Sequence, residues 1–197
     1  FDKVARILGL GYPGGPAISK IAVDGDPQAF KFPRAYLEKG SLDFSFSGLK
    51  TAVLNVVKKS GIQDKIKTRQ WTADLAASFQ EAVVEVLADK LLMALEKFPE
   101  VKEVHLAGGV SANTRLREII TQKLELFQSS NLHQGELLKN SPHLIFRHPK
   151  SILYCTDNAA MIGAAAYYLY KLNPDKFTPN TNIIPTASDW LFQLEKA

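Results

Sequence analysis

Residues 105–120 read HLAGGVSANTRLREII. A short apolar run ends at Gly108 and Gly109, Ser-Ala-Asn follows shortly after, and apolar residues then recur at helical spacing. The pattern predicts a strand handed over to a helix through two glycines. Glycine lacks a Cβ, so a backbone that carries it can lie close to another group. The helix start offers unpaired N–H groups and a partial positive charge, which favour an anion. Either of two arrangements fits these residues. One is a tight turn in which Ser111 or Asn113 caps the helix. The other is a loop brought against a ligand, with Asn113 reaching a hydroxyl or a base. The spacing is not the GxGxxG of dinucleotide folds.

The elements on either side follow from the same rules. Residues 101–107 are expected as a strand and 113–127 as a helix that buries Leu116, Ile120, Leu124 and Phe127. Upstream, residues 68–98 form the longest regular pattern. Leu75, Phe79, Val83, Val86 and Leu91 make one stripe, and Asp74, Glu81, Glu85 and Asp89 fall opposite, so a long amphipathic helix is predicted, closed by Pro99. Residues 48–59 are a shorter helix. Residues 30–48, FKFPRAYLEKGSLDFSFSG, alternate apolar and polar twice around Pro33 and Gly40, which predicts short edge strands or a hairpin. Downstream, 144–146 and 152–154 are expected as short strands and 157–172 as a helix rich in small residues, while 129–142 and the tail from Asn173 are aperiodic. Strands and helices alternate through this half, which argues for α/β layers.

Near the start, residues 2–8 have helical spacing and stop at Gly9. The segment GLGYPGGP holds four glycines and two prolines, so it is a loop, and Pro16 suits the first turn of the next helix, which stops at Gly25. Gly14 and Gly15 form a second glycine pair in front of a helix start. A third junction, CTDNAAMIGAAA, puts Thr156, Asp157 and Asn158 before the last helix. Asp157 there is an N-cap, or else a hard metal ligand or a hydroxyl acceptor.

Composition narrows the class. Of 197 residues, 46% are hydrophobic, which is ordinary for a globular chain with one sizeable core or two modest ones. No apolar run reaches the ~20 residues a membrane helix needs, and the first residues carry no signal-peptide pattern. The single cysteine, Cys155, excludes an intramolecular disulfide and a cysteine-rich zinc site, and its neighbours suit a core residue. The four histidines show no i, i+4 pair and no HExxH, and SFSGL is not the GxSxG elbow of a hydrolase. Residues 31–69 carry nine basic residues and three acids, a local +6 against a net charge of +4 for the chain. That concentration suits a phosphate-bearing partner or a solvated helix face.

Four segments in this order, FDKVARILGLGYPGGP, LDFSFSGLKTAV, LAGGVSANTRLRE and CTDNAAMIGAAA, resemble the C-terminal part of the TsaD family of tRNA threonylcarbamoyladenosine transferases, long described as O-sialoglycoprotein endopeptidases. The resemblance covers nearly the whole chain; residues 129–150 and the tail look individual. It implies an actin-like, Hsp70-like (ribonuclease H-like) lobe with helices on a mixed sheet. Residues 26–100 would be a mainly helical, basic subregion and 101–172 the α/β core, with the N-terminal lobe outside this chain. It implies transfer of a threonylcarbamoyl group from threonylcarbamoyl-adenylate to the adenosine beside the anticodon of tRNA. By motif, Asp2 would bind ribose hydroxyls, Gly15 would approach the nucleoside, and Asn113 would contact the adenylate, with Gly108 and Gly109 clearing space. Asp157 would be one ligand of a single iron or zinc ion, and no catalytic residue stands apart from these sites. The family's paired histidines, an HxxxH, and its first phosphate loop are not in this sequence, so a half-cleft inactive by itself is expected, exposing apolar surface and self-associating. Implied partners are tRNA, on the basic stretch, a paralogous TsaB-like subunit and a TsaE-like ATPase, in a cytoplasmic setting. Ser19, where the archaeal and eukaryotic branch tends to an acid, suits a bacterial or organellar member. A metal-dependent glycoprotein endopeptidase and a non-catalytic nucleotide-binding lobe are the competing readings.

Overall fold

A computed structural model describes residues 1–60, 68–133 and 144–176. The chain divides into two compact units, Phe1–Thr156 and Asp157–Ala197.

The first unit is built on one long helix. In chain order it contains α1 (Asp2–Ile7), α2 (Gly14–Ala22), α3 (Ser47–Lys59), α4 (Arg69–Lys97), β1 (Glu103–His105), a 3-10 turn (Gly109–Ala112), α5 (Thr114–His133), β2 (Ile145–Arg147) and a 3-10 turn (Ile152–Tyr154). Thr68 starts α4, its side chain accepting the Trp71 N–H, as an N-cap should. The expected stripe is buried over most of its length: Leu75, Phe79, Val83 and Val86 are each at most 5% exposed, while Leu91 is half-buried. Burial goes further than an amphipathic helix allows. Thr72, Ala73, Gln80, Glu81, Ala82 and Val84 are buried as well, so the middle of α4 is enclosed on most of its circumference. Glu81 therefore lies inside, where its carboxylate is paired by Arg115, rather than on a solvent face.

Two apolar clusters share α4 as a common wall. One joins Val4, Ala5, Leu8, Ile18, Phe32, Leu49, Val53, Leu75 and Phe79, bringing α1, α2 and α3 onto the first half of the helix. The other joins Val84, Ala88, Leu95, Val104, Leu116, Ile120, Leu124 and Leu144, bringing α5 and the strands onto the second half. Each large side chain buried in this way contributes about 1.5–3 kcal/mol. Gly25 marks how close the packing is, since a Cβ there would stand 2.1 Å from the Ala73 carbonyl oxygen.

β1 and β2 pair in parallel, with Glu103 opposite Ile145 and His105 opposite Arg147. The α/β class is thus present, mostly helical and with a small parallel sheet among the described residues. The expected strands within 30–48 do not form. This segment lies along α4 instead: the Arg34 guanidinium bonds Glu85 at 2.6 Å, the Tyr36 hydroxyl donates to Asp89 at 2.6 Å, and the buried Lys90 ammonium donates to the carbonyls of Tyr36 and Ser41. Burial and the neighbouring Asp89 carboxylate push the Tyr36 phenol well above its usual range. Partners on a helix have replaced the partners a second strand would give. Residues 152–154 likewise form a 3-10 turn rather than a strand, capped by Ser151, which accepts the Leu153 N–H.

The second unit holds α6 (Ala159–Leu172) and a 3-10 turn (Pro174–Lys176). The N-cap of α6 is Asn158, whose carboxamide oxygen accepts the Met161 N–H at 3.1 Å, and not Asp157. α5 runs on to His133, so residues 129–133, expected as the start of an aperiodic excursion, are helical; the rest of that excursion and most of the tail, together with Lys65, Lys67 and His143, lie outside the described residues.

Candidate functional site

The glycine-rich loop in front of α2 is fastened by Asp2. The Gly14 N–H donates to Asp2 Oδ1 at 2.7 Å. This carboxylate satisfies an otherwise unpaired donor of the first turn of α2 and starts the helix at Gly14, two residues before Pro16. The two glycines differ. A Cβ on Gly14 would stand 2.5 Å from the Asp2 Cα, whereas one on Gly15 would meet nothing within 4 Å. Gly14 is a packing residue and Gly15 faces open space. The Tyr12–Pro13 peptide bond ahead of them is cis.

The strand-to-helix handover at 105–120 forms as expected, with one refinement. Gly108 has φ +80°, a left-handed conformation that L side chains resist. The chain then makes the 3-10 turn Gly109–Ala112 before α5 starts. Gly108 and Gly109 are exposed, and a Cβ on either would meet nothing within 4 Å. Of the two candidate caps, Asn113 acts: its Oδ1 accepts the Leu116 N–H at 2.9 Å. Ser111 is fully buried, and its hydroxyl is the only buried side-chain polar atom without a hydrogen-bond partner among the described residues.

Asn113 also joins the two glycine junctions. Its Nδ2 donates to Ser19 Oγ at 3.0 Å and to Gln80 Oε1 at 2.8 Å, and the Ser19 hydroxyl donates to the same Gln80 oxygen at 3.0 Å. Ser19 stands one helical turn after Gly15 on α2, on the same face. The result is a compact polar centre in which α2, α4 and the start of α5 meet. Beside it, Arg115 grips Glu81 with two bonds of 2.8 and 2.7 Å. That partnership pushes the Arg115 guanidinium further above its usual range, against the effect of burial. Arg117 bonds the Ser111 carbonyl at 2.6 Å and the thiol sulfur of the buried Cys155 at 3.3 Å, which places the lone cysteine in the core as expected.

The structure thus brings together Asp2, Gly14 and Gly15 at one end of α2, and Ser19, Gln80 and Asn113 one turn along. Sequence reasoning missed Gln80, which lies inside the long helical pattern with no motif around it. Its only signal is a polar residue one helical turn from apolar ones on either side, Ala76 and Ala77 before it and Val83 and Val84 after it.

Asp157 opens the second unit. It is exposed, and because Asn158 makes the cap, its carboxylate has no hydrogen bond or ion pair among the described residues. It fits an oxygen donor to a divalent ion. No group of three or more His, Cys, Asp or Glu converges among the described residues. On the basic stretch, Lys31, Lys39, Lys50, Lys58 and Lys59 are exposed, whereas Arg34 is paired with Glu85 and Arg69 with Asp24. No helix among the described residues is long and apolar enough to cross a membrane.

Residues 1–164 match the family model TsaD, described as tRNA N6-adenosine threonylcarbamoyltransferase. A protein of Desulfitobacterium hafniense bearing that name is 49% identical over 184 residues, which are 93% of this chain and 48% of the relative. Relatives of the same name from Moorella thermoacetica, 47% identical over 185 residues, and Clostridium kluyveri, 46% identical over 186 residues, each align with 94% of this chain and 48% of their own length. The chain spans about half the length of the curated relatives it matches. With a family match over residues 1–164 and relatives 46–49% identical over nearly all of it, the chain belongs to the TsaD family of tRNA N6-adenosine threonylcarbamoyltransferases.

Proposed function

We propose that this chain supplies half of an enzyme that transfers a threonylcarbamoyl group from threonylcarbamoyl-adenylate to the exocyclic amine of the adenosine beside the anticodon of tRNA. The observation that carries this reading is one hydrogen-bonded centre, Ser19, Gln80 and Asn113, that joins the helix begun at the YPGG segment to the GGVSAN segment, in a chain whose relatives bear that enzyme's name. In the reaction the amine nitrogen bonds the carbamoyl carbon, the bond from that carbon to the phosphate oxygen breaks, AMP leaves, and the amine loses a proton to solvent.

The residues divide the work. Asp2 Oδ1 holds Gly14 in place, and Oδ2 accepts a ribose hydroxyl. Gly15, open on its Cβ side, lets the nucleoside lie against the start of α2. Gly108 and Gly109 do the same at the turn before α5. Asn113 keeps one lone pair of Oδ1 for the adenylate, the other being engaged by Leu116. Asp157 would be one donor to an iron or zinc ion, which when bound would supply Lewis-acid polarisation of phosphate or carbamoyl oxygens. The lobe is actin-like, and the exposed lysines of residues 31–59 contact tRNA backbone. A TsaB-like paralogue and a TsaE-like ATPase complete the assembly in a bacterial cytoplasm.

Incubating the full-length protein and these two partners with tRNA and threonylcarbamoyl-adenylate tests the reading, with modified adenosine quantified after nuclease digestion. A parallel incubation with a glycoprotein tests the peptidase reading. Modified nucleoside without proteolysis is expected. Proteolysis lost on chelation, with unmodified tRNA, would overturn it.

A further inference from the structure

Gln80 is tied to the site by geometry rather than by any motif. It is 8% exposed and projects from the enclosed middle of α4. Among the described residues only its carbonyl end is engaged: Oε1 accepts from Asn113 Nδ2 at 2.8 Å and from the Ser19 hydroxyl at 3.0 Å. A carboxamide presents a donor on one side and an acceptor on the other. An acceptor fixed at Gln80 therefore forces the Asn113 amino group toward α4 and its oxygen toward the start of α5. Without that acceptor, Asn113 holds a buried N–H and Ser19 a partly buried O–H with one partner fewer, and the Asn113 carboxamide can turn over.

We propose that Gln80 is the positioning residue of the nucleotide site, fixing which way the Asn113 carboxamide faces and holding Ser19, on α2, to the same oxygen. The proposal rests on the reading of Asn113 as an adenylate contact. It makes a chemical distinction that a merely structural role does not. Since only the acceptor is used, Gln80→Glu keeps the function and Gln80→Met, of similar length and without an acceptor, loses it.

The test is adenosine affinity by titration calorimetry on the full-length protein. Adenosine is the probe because a charge introduced by glutamate then has no phosphate to repel. Wild type, Gln80→Glu, Gln80→Met, Asn113→Ala and the Gln80→Met/Asn113→Ala double variant are compared, each with its thermal midpoint. We expect Gln80→Glu to bind within about twofold of wild type and Gln80→Met to bind about tenfold more weakly. The double variant should bind no more weakly than Asn113→Ala alone, because Gln80 acts through Asn113. If Asn113→Ala weakens binding and Gln80→Met does not, or if the two losses multiply, the positioning role is wrong and the adenylate reading stands. If Asn113→Ala leaves affinity unchanged, or wild type does not bind adenosine, both fall. Should Gln80→Met fail to fold, Gln80→Glu decides: a folded protein with a tenfold loss overturns the proposal.

Discussion

Gly14 and Gly15 are adjacent in sequence and opposite in environment, and alanine at each should separate packing from ligand approach. At Gly14 the new methyl would stand 2.5 Å from the Asp2 Cα, 2.7 Å from its Oδ1 and 2.8 Å from its nitrogen. An ordinary carbon contact needs roughly 3.5–4 Å. Two of the three obstructing atoms are backbone, so α1 and α2 must part by about 1 Å, and overpacking of that kind costs about 1–3 kcal/mol. Parting them also breaks the 2.7 Å bond from the Gly14 N–H to Asp2, a bond to a charged acceptor worth about 1.5–3 kcal/mol. The two losses overlap, because relieving the clash is what breaks the bond, so about 3 kcal/mol is the expected total. For a domain of this size that lowers the thermal midpoint by about 6–12 °C. Alanine at Gly15 meets nothing within 4 Å outside its chain neighbours; it stands in the first turn of α2 directly before Pro16, whose ring opposes a Cβ on a helical residue ahead of it and offsets the usual gain from replacing a helical glycine, so stability within about 1 kcal/mol of wild type is expected. Its methyl would nonetheless stand where the nucleoside is proposed to lie. Thermal and urea unfolding of the two variants, followed by circular dichroism, with AMP titration beside it, gives the comparison. Gly14→Ala should be unstable, and Gly15→Ala stable but at least tenfold weaker in binding AMP. Equal stability of the two variants would refute the packing argument, and full AMP affinity in Gly15→Ala would refute the approach of the nucleoside.

Further predictions concern the supports around the site and its proposed partner. Arg115→Ala leaves the Glu81 carboxylate, 11% exposed, without its two-bond partner; a loss of about 3 kcal/mol in urea unfolding is expected, at the low end for broken buried pairs because Arg115 is itself one-third exposed, and a loss under 1 kcal/mol would show the pair to be dispensable. Glu103 bridges the two strands, and its bonds from Arg147 and then His105 lower its carboxyl from 4.5 to about 2. A carboxylate lowered in the folded state stabilises above its unfolded value and loses that contribution as pH falls toward the folded one, so Glu103→Gln should lower stability at neutral pH and flatten its decline between about 4.5 and 2. An acid limb identical to wild type would contradict this. Glutamate at both Lys58 and Lys59, exposed in the last turn of α3, should weaken tRNA binding and reduce the slope of log affinity against log salt by about one to two; an unchanged slope would place the tRNA surface elsewhere.

Long, strongly patterned elements were legible in the sequence. The apolar spacing of residues 68–98 and the glycine pairs at 14–15 and 108–109 located α4 and both junctions, because local composition decides such features. The differences arise where distant partners decide. A carboxylate at Asp2, twelve residues away, starts α2 at Gly14 rather than Pro16. Apolar alternation around Phe30 and Phe44 suggested strands, but Glu85, Asp89 and Lys90 on α4 satisfy that segment instead. Asp157 and Asn158 are both good caps by residue type, and only the observed bond to Met161 assigns Asn158. Gln80 was invisible for the same reason: its meaning lies in Ser19 and Asn113, 61 and 33 residues away.

The claim that the α2 and α5 junctions form a wall of an adenylate site can be tested at the level of single residues. Amide chemical shifts of the isotopically labelled full-length protein, followed during titration with AMP, report where the nucleotide lies. The account predicts that the largest changes map to Gly15, Gly108, Gly109 and Asn113, and that they disappear in Asn113→Ala. Changes confined to residues remote from both junctions, with these four signals unmoved at saturation, would contradict it.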